Sequence, residues 1–423
     1  MQDLVEIKAT GIKTRVMIGI EVLIALIFAW IAISMQFGGL LAENTTPGEP
    51  NANEIAGLSV SLAPGDPQAH NLAAMTADDP LTSVEQFETT VRSAPNDYRW
   101  RVALGRAYEQ IDQVEKAEAQ LKAAAALAPT YAFPRWHLGN FYVRQGREDE
   151  AIEELKKATT NHFTFREQVF SLAWDFSNGD PAQVERVAAE NAETRAYLSR
   201  FLALRGQGEH VLRVWNQLDD ADKTRFNIVG RWAIQDLYGK GNFPEALEIA
   251  RQLGDTNAVP ESISNPSFED PVVDGPQARF SWEIFRGEPR VEVTVDNQVR
   301  QQGTRSLKIS FRGVGRSDLV NIFQTVIVKP DTNYTLRFWI RTEGLKSPVR
   351  PLLQIVSAND NAVLGTSGMF PPESPEWSQM SVSFRSGSGT NAISIRTSRP
   401  SCGEQCTVTG VLWYDNFELV PGQ

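Results

Sequence analysis

From Val22 to Leu41 the chain runs 20 residues without a formal charge, which at about 1.5 Å rise per residue spans roughly 30 Å of hydrocarbon. The pattern predicts a membrane-anchor helix within residues 1–43. Residues 44–78 are rich in Pro, Gly, Ala, Asn and Thr with little periodicity, and read as a flexible linker. Helical spacing then governs residues 79–254. Leu104-Gly105 and Leu138-Gly139 stand 34 residues apart, and the same offset relates Tyr108 to Tyr142, Ala117 to Ala151, Leu121 to Leu155 and Ala124 to Ala158. Gly105 and Ala117 let two helices approach closely, Leu104, Tyr108 and Leu121 fill the seam, and Pro129 ends the second helix. Leu81 to Pro95 reads as a preceding second helix, with Phe87 one period before Leu121, and Trp232 to Leu253 as a later hairpin. About five hairpins are expected. A hinge follows at 255–264, around Pro260.

Beyond it the period switches to two. Leu307, Ile309 and Phe311 alternate with Lys308, Ser310 and Arg312; Leu336, Phe338 and Ile340 alternate with Arg337, Trp339 and Arg341; Ile393 and Ile395 alternate with Ser394 and Arg396. Strands of this kind between Gly, Pro and Asn turns predict an antiparallel sandwich over 265–423. The fold class is therefore multidomain: an N-terminal transmembrane helix, an α-helical solenoid and a C-terminal antiparallel β-sandwich.

Two resemblances add to this reading. The 34-residue period, with its Leu-Gly, Tyr, Ala and Leu positions, resembles the tetratricopeptide repeat. Asn265-Pro266-Ser267-Phe268-Glu269, Gly303-Thr304-Arg305-Ser306-Leu307-Lys308-Ile309 and Trp413-Tyr414-Asp415-Asn416-Phe417-Glu418-Leu419 resemble the carbohydrate-binding jelly-roll modules (galactose-binding-like fold) of bacterial xylanases and cellulases. The second resemblance implies that Glu269 and Asp415 share a structural calcium ion, a hard cation satisfied by oxygen ligands. The alternative is a pair of solvated or N–H-bonded carboxylates. No catalytic cofactor is expected.

Charge settles direction and excludes one partner class. A formal charge of −11 and a pI near 5.1 argue against nucleic acid, whose phosphates demand a basic surface. Lys8, Lys13 and Arg15 precede the apolar run, while Glu43, Glu49, Glu54 and Asp66 follow it with no Lys or Arg before Arg92. The positive-inside rule leaves the short N-terminus cytoplasmic and the bulk periplasmic or extracellular. A retained anchor is expected, since Gly38 to Ala42 makes a poor cleavage site; Glu21 reads as an interfacial carboxylate, or else an intramembrane functional one. The two cysteines, Cys402 and Cys406, are spaced for a local disulfide in an oxidising compartment, with free thiols or half a metal site as alternatives.

No catalytic motif emerges: there is no Gly-x-Ser-x-Gly, no phosphate loop and no His-Glu-x-x-His. A binding protein is expected, not an enzyme. For the sandwich, Trp339 is the candidate stacking platform with Arg337 and Arg341 on its face, and Gln324 and Gln354 are expected to line the same concavity. The competing reading tucks Trp339 under a loop or another domain. For the repeats, the resemblance places Arg99, Arg106, Phe133, Trp136 and Asn140 along a concave groove suited to an extended peptide; alternatively the groove packs on this chain's own later elements. The function expected is a membrane-anchored scaffold whose solenoid binds a protein partner and whose sandwich binds polysaccharide, in envelope or exopolysaccharide assembly. A pure protein–protein scaffold is the alternative, and an envelope glycoside hydrolase the weaker one.

Overall fold

The structure, a computed structural model, describes residues 11–160, 163–255, 258–272, 279–284, 290–314, 322–400, 402 and 407–422. The chain divides into two compact units, Met1–Ala189 and Glu190–Gln423. The hinge expected at 255–264 falls inside the second of them.

The first unit is helical: α1 (Ile12–Glu43), α2 (Ala52–Leu62), α3 (Pro67–Thr76), α4 (Pro80–Ser93), α5 (Tyr98–Gln110), α6 (Val114–Leu127), α7 (Ala132–Arg144), α8 (Glu148–Ala158), α9 (Phe163–Phe176) and α10 (Pro181–Arg186). Its starts are written in the sequence. Asp66, Asp79, Asp97 and Asp180 each accept a hydrogen bond from a backbone N–H two or three residues on, and proline follows at the first helical position of α3, α4 and α10. The aspartates satisfy donors that lack an intrahelical partner, and proline loses no hydrogen bond at that position.

The repeat logic holds at the level of atoms. A methyl on Gly105 would lie 2.8 Å from Leu121 Cγ, and one on Gly139 would lie 2.7 Å from Leu155 Cγ, so glycine sets how closely each pair of helices packs. Leu104, Ala117, Leu121 and Ala124 are buried in one core with Phe87 of α4 and Leu138, Tyr142 and Ala151 of the next hairpin.

Residues 44–78 are not a loose linker. They form α2 and α3, whose Ala56, Ala69 and Leu72 close on Ala42 of α1. Alanine and serine seams carry little hydrophobic contrast, so the segment has the composition of a linker while packing as a close helix pair. Gly38 lies in the same seam, where a methyl would come within 2.8 Å of Ala63 Cβ and 2.9 Å of the Ser59 carbonyl oxygen. The last turns of α1 therefore belong to the packed unit.

The second unit begins with α11 (Ala192–Ala203), α12 (Gly208–Trp215), α13 (Asp220–Arg225), α14 (Asn227–Gly239) and α15 (Phe243–Gln252). The α14–α15 hairpin covers the Trp232 to Leu253 segment expected to form one, and Trp215 is fully buried against Gly230. The sandwich follows: β1 (Glu283–Ile284), β2 (Val291–Asp296), β3 (Ser306–Val314), β4 (Ile322–Ile327), β5 (Asn333–Lys346), β6 (Leu352–Ser357), β7 (Val363–Thr366), β8 (Ser374–Arg385), β9 (Ala392–Ser398) and β10 (Val408–Pro421). Two five-stranded antiparallel sheets result, ordered β1-β4-β9-β6-β7 and β2-β3-β10-β5-β8. The alternating apolar residues meet between them: Leu307, Ile309, Leu336, Phe338, Ile340, Leu353, Ile355, Ile393 and Ile395 are buried in one core. The helices of this unit reach the sandwich at Tyr238 of α14, whose hydroxyl lies 2.6 Å from Thr325 Oγ1 on β4.

Candidate functional sites

The opening and closing segments of the sandwich, which carry Glu269 and Asp415, are joined where the Phe417 N–H donates to the Pro266 carbonyl at 3.0 Å. Glu269 Oε1 accepts from the Thr304 and Arg305 N–H groups at 2.8 and 3.1 Å, and its Oε2 accepts from Thr304 Oγ1 at 2.5 Å. Those bonds hold its carboxyl below the ordinary range. Asp415 is fully buried; its Oδ2 accepts from the Gln301 and Gln302 N–H groups at 2.8 and 3.2 Å. Its Oδ1 has no hydrogen-bond partner, and neither does the buried Gln301 Oε1 of the same loop. Burial pushes the Asp415 carboxyl up, and the nearby Glu269 charge adds to the push. The orphaned, buried Asp415 Oδ1 and Gln301 Oε1 are oxygens of the kind a hard cation takes, whereas both Glu269 oxygens already accept hydrogen bonds. Among the described residues no group of three or more His, Cys, Asp or Glu side chains is gathered for a metal, so amide or backbone oxygens would have to complete the shell.

On the sandwich, the structure separates residues that the sequence groups together. Trp339, Arg337 and Arg341 share the outer face of the β2-β3-β10-β5-β8 sheet, as alternation requires, with Trp339 half-buried beside the exposed Gln379 of β8. Gln324 and Gln354 belong to the other sheet, so the expected common concavity does not form. Gln324 instead points inward, fully buried, and holds the Ser264 N–H and carbonyl at 3.0 and 2.9 Å. The charges around Trp339 are largely matched. Arg337 lies 3.4 Å from Glu418, Trp413 Nε1 donates to Asp296 at 3.0 Å, and Lys308 and Arg341 lie over the Trp413 ring.

The outer face of the opposite sheet carries a row that sequence reasoning missed. Register places Glu283, Phe323, Arg396, Gln354 and Thr366 side by side on β1, β4, β9, β6 and β7. Arg396 Nε and Nη2 both donate to Gln354 Oε1, at 3.0 and 2.8 Å, which fixes the guanidinium beside the half-exposed Phe323 ring. Two residues along β4, Thr325 is covered by Tyr238, so one end of this face is roofed and the row itself stays partly open. Glu283 is buried, with Oε1 unpaired and Oε2 3.9 Å from Arg279, and burial pushes its carboxyl up to about 7. The alternation of Ser394 and Arg396 with Ile393 and Ile395 marks the outward residues of β9, but only the strand order brings Gln354 and Phe323 to them.

The groove residues of the first unit lie on successive first helices. Phe133 and Trp136 of α7 pack near Phe165 of α9 at 6.2 and 6.3 Å, and Tyr98 of α5 lies 6.3 Å from Phe133. Arg99 is engaged by Asp97 at 2.5 Å and lies over Trp100, and Asn140 donates back to the Trp136 carbonyl. Both are occupied locally. Arg106 is exposed. His137, unnoticed in the sequence, stacks edge-on to Phe133 at 4.6 Å; burial, with Arg106 and Arg144 nearby, lowers its pKa to about 4.

Among the described residues, α1 is long and apolar enough to cross a membrane, and its apolar window is wholly unburied. Cys406, and with it the expected Cys402–Cys406 bridge, lies outside the described residues.

With this geometry in place, comparison with known proteins is informative at the level of modules. Residues 260–401 match the family described as a carbohydrate binding domain, and residues 101–131 and 135–161 match the tetratricopeptide repeat. The two matches are to binding modules. Repeats of the first unit's kind suggest protein–protein binding, and a domain of the second kind suggests carbohydrate binding. Among solved structures, one described as "CBM4 structure and function" is 13% identical, with 38% of this chain and 100% of that one covered, at a TM-score of 0.30. A "Crystal structure of MamA protein" is 20% identical over 37% of this chain and 87% of that one, also at 0.30. The CBM22-1 xylan-binding domain from Paenibacillus barcinonensis Xyn10C is 13% identical over 37% and 90%, at 0.25. Likenesses this distant carry no argument about function. No curated protein matches the chain.

Proposed function

We propose that this is a membrane-anchored binding and assembly protein that performs no turnover. The first unit holds a protein partner, and the sandwich holds a glycan near envelope or exopolysaccharide machinery. The observation that carries the glycan half is the Phe323–Arg396–Gln354 row. A pyranose presents an apolar face to an aromatic ring and hydroxyls to fixed polar groups. Arg396, clamped by Gln354, is oriented before any ligand arrives, which reduces the ordering cost of binding. A second reading places the sugar on Trp339, whose half-exposed indole stands beside Gln379. The first face is favoured because the charges around Trp339 are largely paired with one another.

The same geometry argues against hydrolysis. Glycosidases need two carboxyl groups across the scissile bond. Glu283, a carboxyl poised near neutrality, faces Arg279 and no second carboxylate among the described residues. Calcium held by Asp415 Oδ1, with Glu269 and Gln301 oxygens nearby, would neutralise a buried charge and tie the opening and closing segments of the sandwich. It would take no part in a reaction.

As an anchor, α1 meets the bilayer edge near Phe37, because Gly38 and Ala42 are already packed on α2 and α3. Counting back about 20 residues starts the span near Ile18, soon after Lys13 and Arg15, and brings Glu21 about one turn inside the bilayer. The bulk of the chain then lies on the far side from these cations.

Affinity electrophoresis of the full-length protein through gels containing soluble β-glucan, xylan or a bacterial exopolysaccharide tests the glycan reading. Retardation by at least one polysaccharide is expected, lost in Arg396→Ala and kept in Trp339→Ala. The reverse pattern would move the site to the other sheet. A folded wild type that no polysaccharide retards would leave the pure protein scaffold as the account.

A further inference from the structure

We propose that the groove along α5, at the cavity it shares with α3 and α4, selects an extended peptide in which an acidic side chain lies beside an apolar one. This deepens, and rests on, the reading of the groove as a protein-binding surface. Three observations converge on it. First, the cations around the groove are unequally matched. Arg99 is taken by Asp97, and Arg144 donates to both oxygens of Glu109 at 2.6 and 2.7 Å. Arg106, also on α5, is exposed and has no ion pair or hydrogen bond among the described residues. In a chain of net charge −11, a free guanidinium in a concave surface is a local reversal of sign, and it attracts carboxylates.

Second, the neighbouring polar group is neutral. His137 is half-buried and feels Arg106 and the Arg144–Glu109 pair; with a pKa near 4 it carries no charge at physiological pH. It neither competes with Arg106 for a carboxylate nor repels a cation, and it offers one donor and one acceptor to a passing backbone. Third, Arg106 lines a cavity of about 430 Å³ between α3, α4 and α5, together with Met75, Phe87, Ala103, Ala107 and Asp78. That volume lies within the range of ligand pockets, roughly 300–1,000 Å³, and Met75 and Phe87 in its mixed lining suit a large side chain next to the carboxylate. Asp78 in the same lining disfavours a second acid in the cavity.

The test uses the detergent-solubilised full chain and three fluorescein-labelled nonapeptides, blocked at both ends. They are identical except for a central Glu, Gln or Lys that follows Phe-Leu. Fluorescence anisotropy is expected to show the Glu peptide binding about tenfold tighter than the Gln peptide, the size of one charge-assisted hydrogen bond. The advantage should shrink at high salt. Arg106→Glu should reverse the order toward the Lys peptide, and Arg106→Gln should make Glu and Gln equal. Equal binding of Glu and Gln to the wild type, or an order unchanged in Arg106→Glu, would overturn the charge selection while leaving a protein-binding groove. Absence of binding by all three would overturn the groove reading and this proposal together.

Discussion

Glu283 and Arg279 stand 3.9 Å apart with Glu283 Oε1 and Arg279 Nε both unpaired, so the carboxyl pays for burial without a full partner. Its folded pKa of about 7 lies above the ordinary 4.5. A raised carboxyl pKa means the folded state holds its proton more tightly than the unfolded chain. The contribution therefore favours folding below about 4.5 and is lost as pH rises through about 7. Glu283→Gln should raise the melting temperature of the second unit at pH 8 and leave it nearly unchanged at pH 4.5; an equal shift at both would show that the effect is not ionisation. Asp415 supplies a related test. Calcium should raise the melting temperature of the wild type and lose that effect in Asp415→Asn, whose amide needs no counter-charge. An identical calcium response in the variant would remove Asp415 from the site.

At the level of elements, much of the architecture was legible. The 34-residue offset located the α5–α6 and α7–α8 hairpins because each buried seam repeats a glycine against a leucine, and period-two alternation located β3, β5 and β9 because one face of each is buried. Alanine seams were not legible. In α2 and α3 the buried residues are mostly alanines, which look alike inside a close-packed helix pair and a solvated linker. The consequence is mechanical, because α1 passes from its apolar stretch into the packed unit at Gly38 without an intervening flexible segment. Gly38→Val should separate α1 from α2 and destabilise the first unit by roughly 1–3 kcal/mol, the range for overpacking. Protease sites within 44–78 should become accessible. Unchanged protease resistance would mean that the seam does not hold the segment.

At the scale of the molecule, the candidate sites were less legible than the fold, for a physical reason. A residue's facing can be read from alternation, but its neighbours across a sheet depend on strand order. Alternation put Trp339, Arg337 and Arg341 on one face; it could not show that Gln354 lies on the other sheet beside Arg396, or that Gln324 is turned into the core to hold Ser264. Nor could it show that the chain divides near Ala189, with α11–α15 in the same compact unit as the sandwich. That division matters for experiment. Removing α14 would strip Tyr238 from Thr325, so the sandwich is best studied with its own helices present. Under the proposed function, the chain recognises glycan without consuming it. The most direct measurement is a glycan array probed with the full-length protein in calcium, with glycans from the bound spots analysed for length afterwards. Retention on a chemically related set of glycans is expected, with the glycans recovered uncut and the signal abolished in Arg396→Ala. Folded protein that binds no glycan, or bound glycans that return shortened, would contradict it.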